Sequence, residues 1–192
     1  TLGLAEDPVP VTCEPFRQWV LEDRFPTGHP PLEKVGVTFT RYVHEFEAMK
    51  IRVLNGGHAV IAYAGGIKGI GLVHEALADQ TISAFLEAVE TNEILPIVPC
   101  VPGQDLVEYK RMVIERFANP EVADTVQRLC FDGSNRQPKF IIPSIRDNIA
   151  IGVMPRGLIL ESALWCRYCY GTDEHGQAIS PNDPNWEALL AT

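Results

Sequence analysis

The sequence predicts a mainly α protein, a multi-helical body preceded by a short β segment. Three observations carry that expectation. Residues 1–41 contain Pro8, Pro10, Pro15, Pro26, Pro30 and Pro31, which forbid a long helix there. From Tyr42 onward apolar residues recur at helical spacing. Proline, glycine and Asn/Asp clusters then divide the remainder into pieces of ordinary helix length.

Within 1–41, residues 16–21 (FRQWVL) and 35–40 (VGVTFT) read as two short strands. Two strands alone are marginal in water, so they are expected to belong to a larger sheet. Residues 44–67 lack proline, are rich in Ala, Met, Leu, Ile and Val, and are apolar on most sides, as a central buried helix should be. Asp79 opens a helix through Ile82, Phe85, Leu86 and Val89. Pro96, Pro99, Pro102 and Gly103 break the chain, and 105–117 is an amphipathic helix ended by Asn119-Pro120. A further helix is expected over 121–129, stopped by the turn cluster Asp132-Gly133-Ser134-Asn135. Ser144 is the expected N-cap of a helix running to Ile149. Helices over 156–170 and 186–191 flank a polar loop over 173–184. The expected division is 1–41 and 42–192.

Composition excludes several functions. The chain has 192 residues, is 46% hydrophobic and 21% charged, and carries a formal net charge of −9. That is ordinary globular usage, and the acidity argues against a phosphate-tracking nucleic-acid binder. No apolar run approaches the roughly 18 residues of a membrane span, so no membrane partner is expected. The chain opens on Thr1 without a basic and apolar leader, which suggests a processed chain or a fragment of a longer one. Five cysteines (Cys13, Cys100, Cys130, Cys166 and Cys169) form no disulfide framework, and a reducing cytoplasm is their simplest home. Cys166-Arg167-Tyr168-Cys169 could be half a zinc site or a redox pair. No second CxxC or HxxxH exists, so two thiols packed on a buried helix is the preferred reading.

The central helix carries Lys50, Asn55 and His58. At 100° per residue, with Lys50 at 0°, Asn55 lies at about 140° and His58 at about 80°, within an arc of less than half a turn and an axial span of about 12 Å. Gly56 and Gly57 lie between them, although each costs a helix roughly 1 kcal/mol relative to Ala. Close approach of a ligand or another backbone would compensate. Two readings of the triplet stand on the residues alone. Each group is individually satisfied or exposed, or Lys50, desolvated by apolar walls, is a general base with Asn55 donating to an alkoxide and His58 holding a neighbouring hydroxyl.

The pattern Lys50-x4-Asn55-x2-His58 within YVHEFEAMKIRVLNGGH resembles the signature of the polyol-specific long-chain dehydrogenase/reductase family, whose members include mannitol 2-dehydrogenases and fructuronate reductases. CEPFRQWVLEDRFP, VHEALAD, VPGQDLVEYK, ERFANP and RLCFDGSNRQPKF are similar to family segments in the same order. The resemblance runs from about Cys13 to the end. It implies a zinc-independent oxidoreductase using NAD or NADP. In that family a Rossmann-type domain holds the dinucleotide, and a helical C-terminal domain of the 6-phosphogluconate dehydrogenase type supplies the base and much of the substrate pocket. Lys50 matches the base, Asn55 an alkoxide-stabilising asparagine and His58 a substrate-positioning histidine. Arg128, Arg136 and Lys139 match or neighbour substrate-binding positions. Their alternative is a solvated patch beside a tight turn.

No Rossmann fingerprint is present. Gly66, Gly69 and Gly71 have the wrong spacing and follow a helix. Residues 1–41 would then be the last strands of a nucleotide-binding domain and 42–192 a truncated substrate domain, inactive when isolated. The missing Rossmann-type domain is the expected partner, and a sugar alcohol or ketose the expected substrate, with mannitol–fructose chemistry leading. The alternatives are a uronate reductase of the fructuronate or tagaturonate type, or a helical interaction module with no chemistry.

Overall fold

The computed structural model describes residues 14, 16–180 and 182–191; Pro8, Pro10, Cys13 and Pro15 lie outside them. The chain divides into two units, Thr1–Arg41 and Tyr42–Thr192. In the first, β1 (Trp19–Glu22) pairs in parallel with β2 (Val37–Thr40), Trp19 opposite Val37 and Glu22 opposite Thr40. Both strands start later than their sequence pattern suggests. Before β2, a 3₁₀ turn over Leu32–Val35 consumes Val35 and closes on Gly36, whose φ of 94° suits glycine. Among the described residues the sheet has these two strands only.

The second unit is built around one long rod. α1 (Val43–Met49) runs without a break into a π-helical turn (Lys50–Asn55) and then α2 (Gly56–Ile67). Met49, Val53, Val60, Ile61 and Ala62 have no exposed surface, so the rod is the central buried element its composition predicts. The π turn is a correction to the regular 100° geometry. Gly56 N–H bonds to the carbonyl of Ile51, five residues back. A five-residue ring sets residue i+5 roughly over residue i, so Asn55 stands above Lys50 instead of well round the helix from it. Arg52, inside the turn, pairs with Asp147 and donates to the Ile97 carbonyl at 2.6 Å. Gly69, with φ 69°, ends α2, and Ile70 N–H returns to the Gly65 carbonyl at 3.0 Å. The glycines near 66–71 therefore close a helix.

The other helices surround the rod. α3 (Val73–Ala78), which the sequence reading did not anticipate, precedes α4 (Gln80–Val89). Asp79 caps α4, accepting from Thr81 and Ile82 N–H at 2.9 and 3.1 Å. A second π turn, Glu90–Ile94, packs beside the first. Asp105 caps α5 (Leu106–Phe117) in the same way. The helix expected over 121–129 is broken in two. A 3₁₀ turn (Pro120–Val122) ends at Ala123 with φ 50°, and α6 (Val126–Cys130) starts afresh with Thr125 as N-cap. The reason is that Val73 N–H bonds to the Asp124 carbonyl and Val126 N–H to that of Gly71, each at 3.0 Å. That backbone is used across to the start of α3 and not along a helix.

The cluster at 132–135 opens a helix where a stop was expected. Asp132 takes φ 63°, and α7 (Gly133–Phe140) follows, with the Ser134 N–H and hydroxyl both donating to the Asp183 carboxylate at 2.7 Å. Ser144 is not an N-cap. It lies buried inside α8 (Ile142–Ala150), which begins earlier, with Pro143 in its first turn. α9 (Arg156–Cys169) is capped from a distance by Glu93, whose carboxylate accepts from Gly157 and Leu158 N–H at 2.8 Å each. α10 (Trp186–Leu190) ends the described chain. α2 packs against α4, α6 and α9. Of the CxxC pair only Cys169 is buried. Cys166 falls on the outer stripe of α9 with Leu160, Ala163 and Tyr170, so the expectation of two packed thiols fails for it. Among the described residues no helix is long and apolar enough to cross a membrane.

Candidate active site

A cavity of about 280 Å³ opens between the rod, α6 and α7. The rod lines one wall with Lys50, Leu54, Asn55, His58, Ala59 and Tyr63. Their spacing of four or five is the stripe that a π turn followed by an α-helix presents to one side. Arg128 and Leu129 come from α6, and Arg136, Gln137 and Phe140 from α7. Exposed Lys50 and Arg128 mark the mouth; buried Tyr63, Leu129 and Gln137 form the floor.

Lys50, Asn55 and His58 thus converge on one hollow. Neither the Lys50 amine nor the Asn55 amide has a hydrogen-bond partner among the described residues. The amine is exposed and not enclosed by apolar walls, because the cavity is open where Lys50 enters it. His58 is held differently. Its ring stacks on Phe117 with centroids 4.3 Å apart. Burial, aided by Arg128, Arg136 and Arg116 and opposed by Asp124, lowers its pKa to about 4. It is therefore a neutral imidazole at pH 7, one nitrogen donating and the other accepting, which suits a hydroxyl that does both.

The glycines before His58 are explained by side chains, not by a ligand or another backbone. A Cβ on Gly57 would lie 2.7 Å from Glu90 Oε1 and 3.2 Å from Phe117, and one on Gly56 would lie 3.3 Å from Ile94. The second π turn and α5 press against the rod at the point that aims the imidazole.

The cations on the far wall are already engaged. Arg128 grips the Asp124 carboxylate with Nε and Nη2, and this pairing holds the Asp124 carboxyl below its usual range despite partial burial. Arg136 donates from Nη1 to the Leu129 carbonyl at 2.9 Å, tying α7 to α6. Lys139 is exposed and is not among the lining residues of the cavity. No acidic side chain lines it. Sequence reasoning missed Tyr63, Gln137 and Phe140. Tyr63 was within reach of it, since Asn55, Ala59 and Tyr63 are spaced by four. Gly133 gives the floor its shape: a Cβ there would meet the Tyr63 hydroxyl at 2.6 Å and Trp165 Nε1 at 2.5 Å.

The mannitol dehydrogenase C-terminal domain family matches residues 42–192, the whole helical unit. The chain belongs to that family. A mannitol 2-dehydrogenase of Cereibacter sphaeroides is 65% identical over 187 residues, 97% of this chain and 39% of that relative. A mannitol 2-dehydrogenase of Emericella nidulans is 43% identical over 97% of this chain and 38% of its own length. Among solved structures, Pseudomonas fluorescens mannitol 2-dehydrogenase in a ternary complex with NAD and D-mannitol superposes with a TM-score of 0.89 at 43% identity, covering 95% of this chain and 37% of that one. A substrate-free D-sorbitol dehydrogenase also gives 0.89, at 30% identity, over 96% of this chain and 39% of the other. This member of the mannitol dehydrogenase C-terminal domain family therefore spans about two fifths of the length of the relatives it matches.

Proposed function

We propose that the chain is the substrate-binding and proton-transfer part of an NAD-dependent polyol dehydrogenase that interconverts a secondary alcohol of a hexitol, with mannitol as the lead, and the corresponding ketose. The convergence of Lys50, Asn55 and His58 on one cavity, with the amine and the amide lacking partners among the described residues, carries this reading. A helical module with no chemistry predicts these three side chains in separate environments, whereas they line one cavity.

The chain itself offers no dinucleotide cradle among its described residues, since the glycine cluster at 66–71 closes α2. The nucleotide is assigned to a Rossmann-type domain outside this chain, with residues 1–41 as that domain's terminal strands; bound there, NAD accepts the hydride. The residues of this chain do the rest. Lys50 takes the hydroxyl proton while the carbon loses its hydride, so the alcohol leaves as a ketone. Asn55 donates to the oxygen as negative charge develops on it. Neutral His58 both donates to and accepts from an adjacent hydroxyl. Arg128 and Arg136 stand over the rest of the polyol. No step requires zinc, and the full-length enzyme is expected to purify without stoichiometric metal.

Three cations and no acid on the lining would also suit a uronate. The two-toothed pairing of Arg128 with Asp124 supports the neutral hexitol, because it removes one of those charges from play. The deciding measurement is NAD-linked turnover of mannitol, sorbitol and arabinitol and NADH-linked reduction of fructose and fructuronate by the full-length enzyme. Mannitol and fructose are expected to be the best pair. Preference for fructuronate would replace the hexitol reading with the uronate one, and absence of turnover on all five would reject the enzyme reading. The isolated 192-residue chain is expected to be inactive.

A further inference from the structure

Gln137 is the one uncharged amide on the α7 side of the cavity, and it is 3% exposed. Its carboxamide is clamped from behind by α9. Nε2 donates to Glu161 Oε1 at 2.6 Å, and Oε1 accepts from the Ser162 hydroxyl at 3.3 Å. Ser162 Oγ also lies 3.4 Å from Glu161 Oε2. Glu161 has no exposed surface, and burial pushes its carboxyl up to about 8. These contacts hold the Gln137 amide against α9 and leave one of its N–H groups over.

We infer that Gln137 is a substrate-binding residue of this cavity, presenting its spare N–H to a hydroxyl of the polyol, and that Glu161 and Ser162 are positioning residues that hold its amide in place. The inference rests on the polyol-dehydrogenase reading and adds a donor to it. The cavity wall formed by α7 otherwise offers only Arg136, already bonded to Leu129, and apolar surface, so an oriented amide supplies the neutral recognition a hydroxyl needs.

The test uses the full-length enzyme and steady-state kinetics with mannitol and NAD. Gln137→Met keeps the length and removes the donor. It is expected to raise the KM for mannitol about 5- to 10-fold, with kcat and the KM for NAD within about twofold of wild type. Ser162→Ala, which removes a single oxygen and with it the hold on Gln137 Oε1, is expected to raise KM about threefold. Glu161→Leu should match Gln137→Met, and Glu161→Gln, whose amide oxygen can still accept from Gln137 Nε2, should restore most of the loss. A purely structural role predicts instead a lower melting temperature with an unchanged KM for mannitol. Unchanged KM in both Gln137→Met and Ser162→Ala would overturn the assignment; if Gln137→Met does not fold, Ser162→Ala decides alone. Wild-type turnover of mannitol is measured alongside, so failure of the underlying reading is seen separately.

Discussion

The two walls of the cavity hold their polar groups in opposite ways. On the rod, the Lys50 amine and the Asn55 amide have no partner among the described residues. Across from them, Arg128 is bound to Asp124, Arg136 to the Leu129 carbonyl and Gln137 to Glu161 and Ser162. Free groups can take up a proton or a developing charge, because no existing bond must break first. Tethered groups cannot move to meet a ligand, so they define shape and orientation. On the proposed reading the rod carries the chemistry and the opposite wall the recognition.

Removing the free amine should produce the largest effect. Lys50→Ala in the full-length enzyme is expected to lower kcat by about 10²–10⁴, the usual worth of a general base, and a small external amine should restore part of it. Turnover near wild type would end the division between the walls. Asn55→Ala is expected to lower kcat by about 10², with a smaller change in KM, as befits a donor to the transition state. On the tethered wall the effects should fall on binding. Asp124→Asn loosens Arg128 and is expected to raise the KM for mannitol a few-fold at nearly constant kcat. An equal drop in kcat would place Arg128 among the groups that act on charge.

The remaining effects are in stability. His58, lowered to about 4, favours folding fully above its ordinary value of 6.5 and loses that contribution as pH falls from there towards 4. Glu161, raised to about 8, behaves oppositely, its contribution being complete below 4.5 and lost as pH rises towards 8. Glu161→Gln should therefore gain on wild type by on the order of 1–3 kcal/mol between those limits, read from denaturation midpoints at several pH values. A constant difference across pH would show that Glu161 does not titrate in that range.

The sequence was legible wherever one local rule decides the structure. Asp79 and Asp105 cap their helices as their positions promise, and the unbroken apolar run around Val60 is the core rod. It was not legible where long-range bonds overrule local preference. Ala123 and Thr125 break a plausible helix because 124–126 pair with 71–73. Asp132 to Asn135 looks like a stop but opens α7, since Asp183, some fifty positions along the chain, binds Ser134. The site divides in the same manner. Lys50, Asn55 and His58 lie close together in sequence and could be read as one group. Gln137 acquires meaning only from Glu161 and Ser162, which no spacing connects to it.

The π turn makes this rod sensitive to its winding as well as to its composition. It winds more residues into each revolution than an ordinary helix does, so rewinding the same residues at the common 100° would overshoot by about one residue without unfolding anything. The imidazole and everything after it would then swing by about 100° relative to the amine. The protein would remain helical and well packed in outline, with Lys50 and His58 facing different directions.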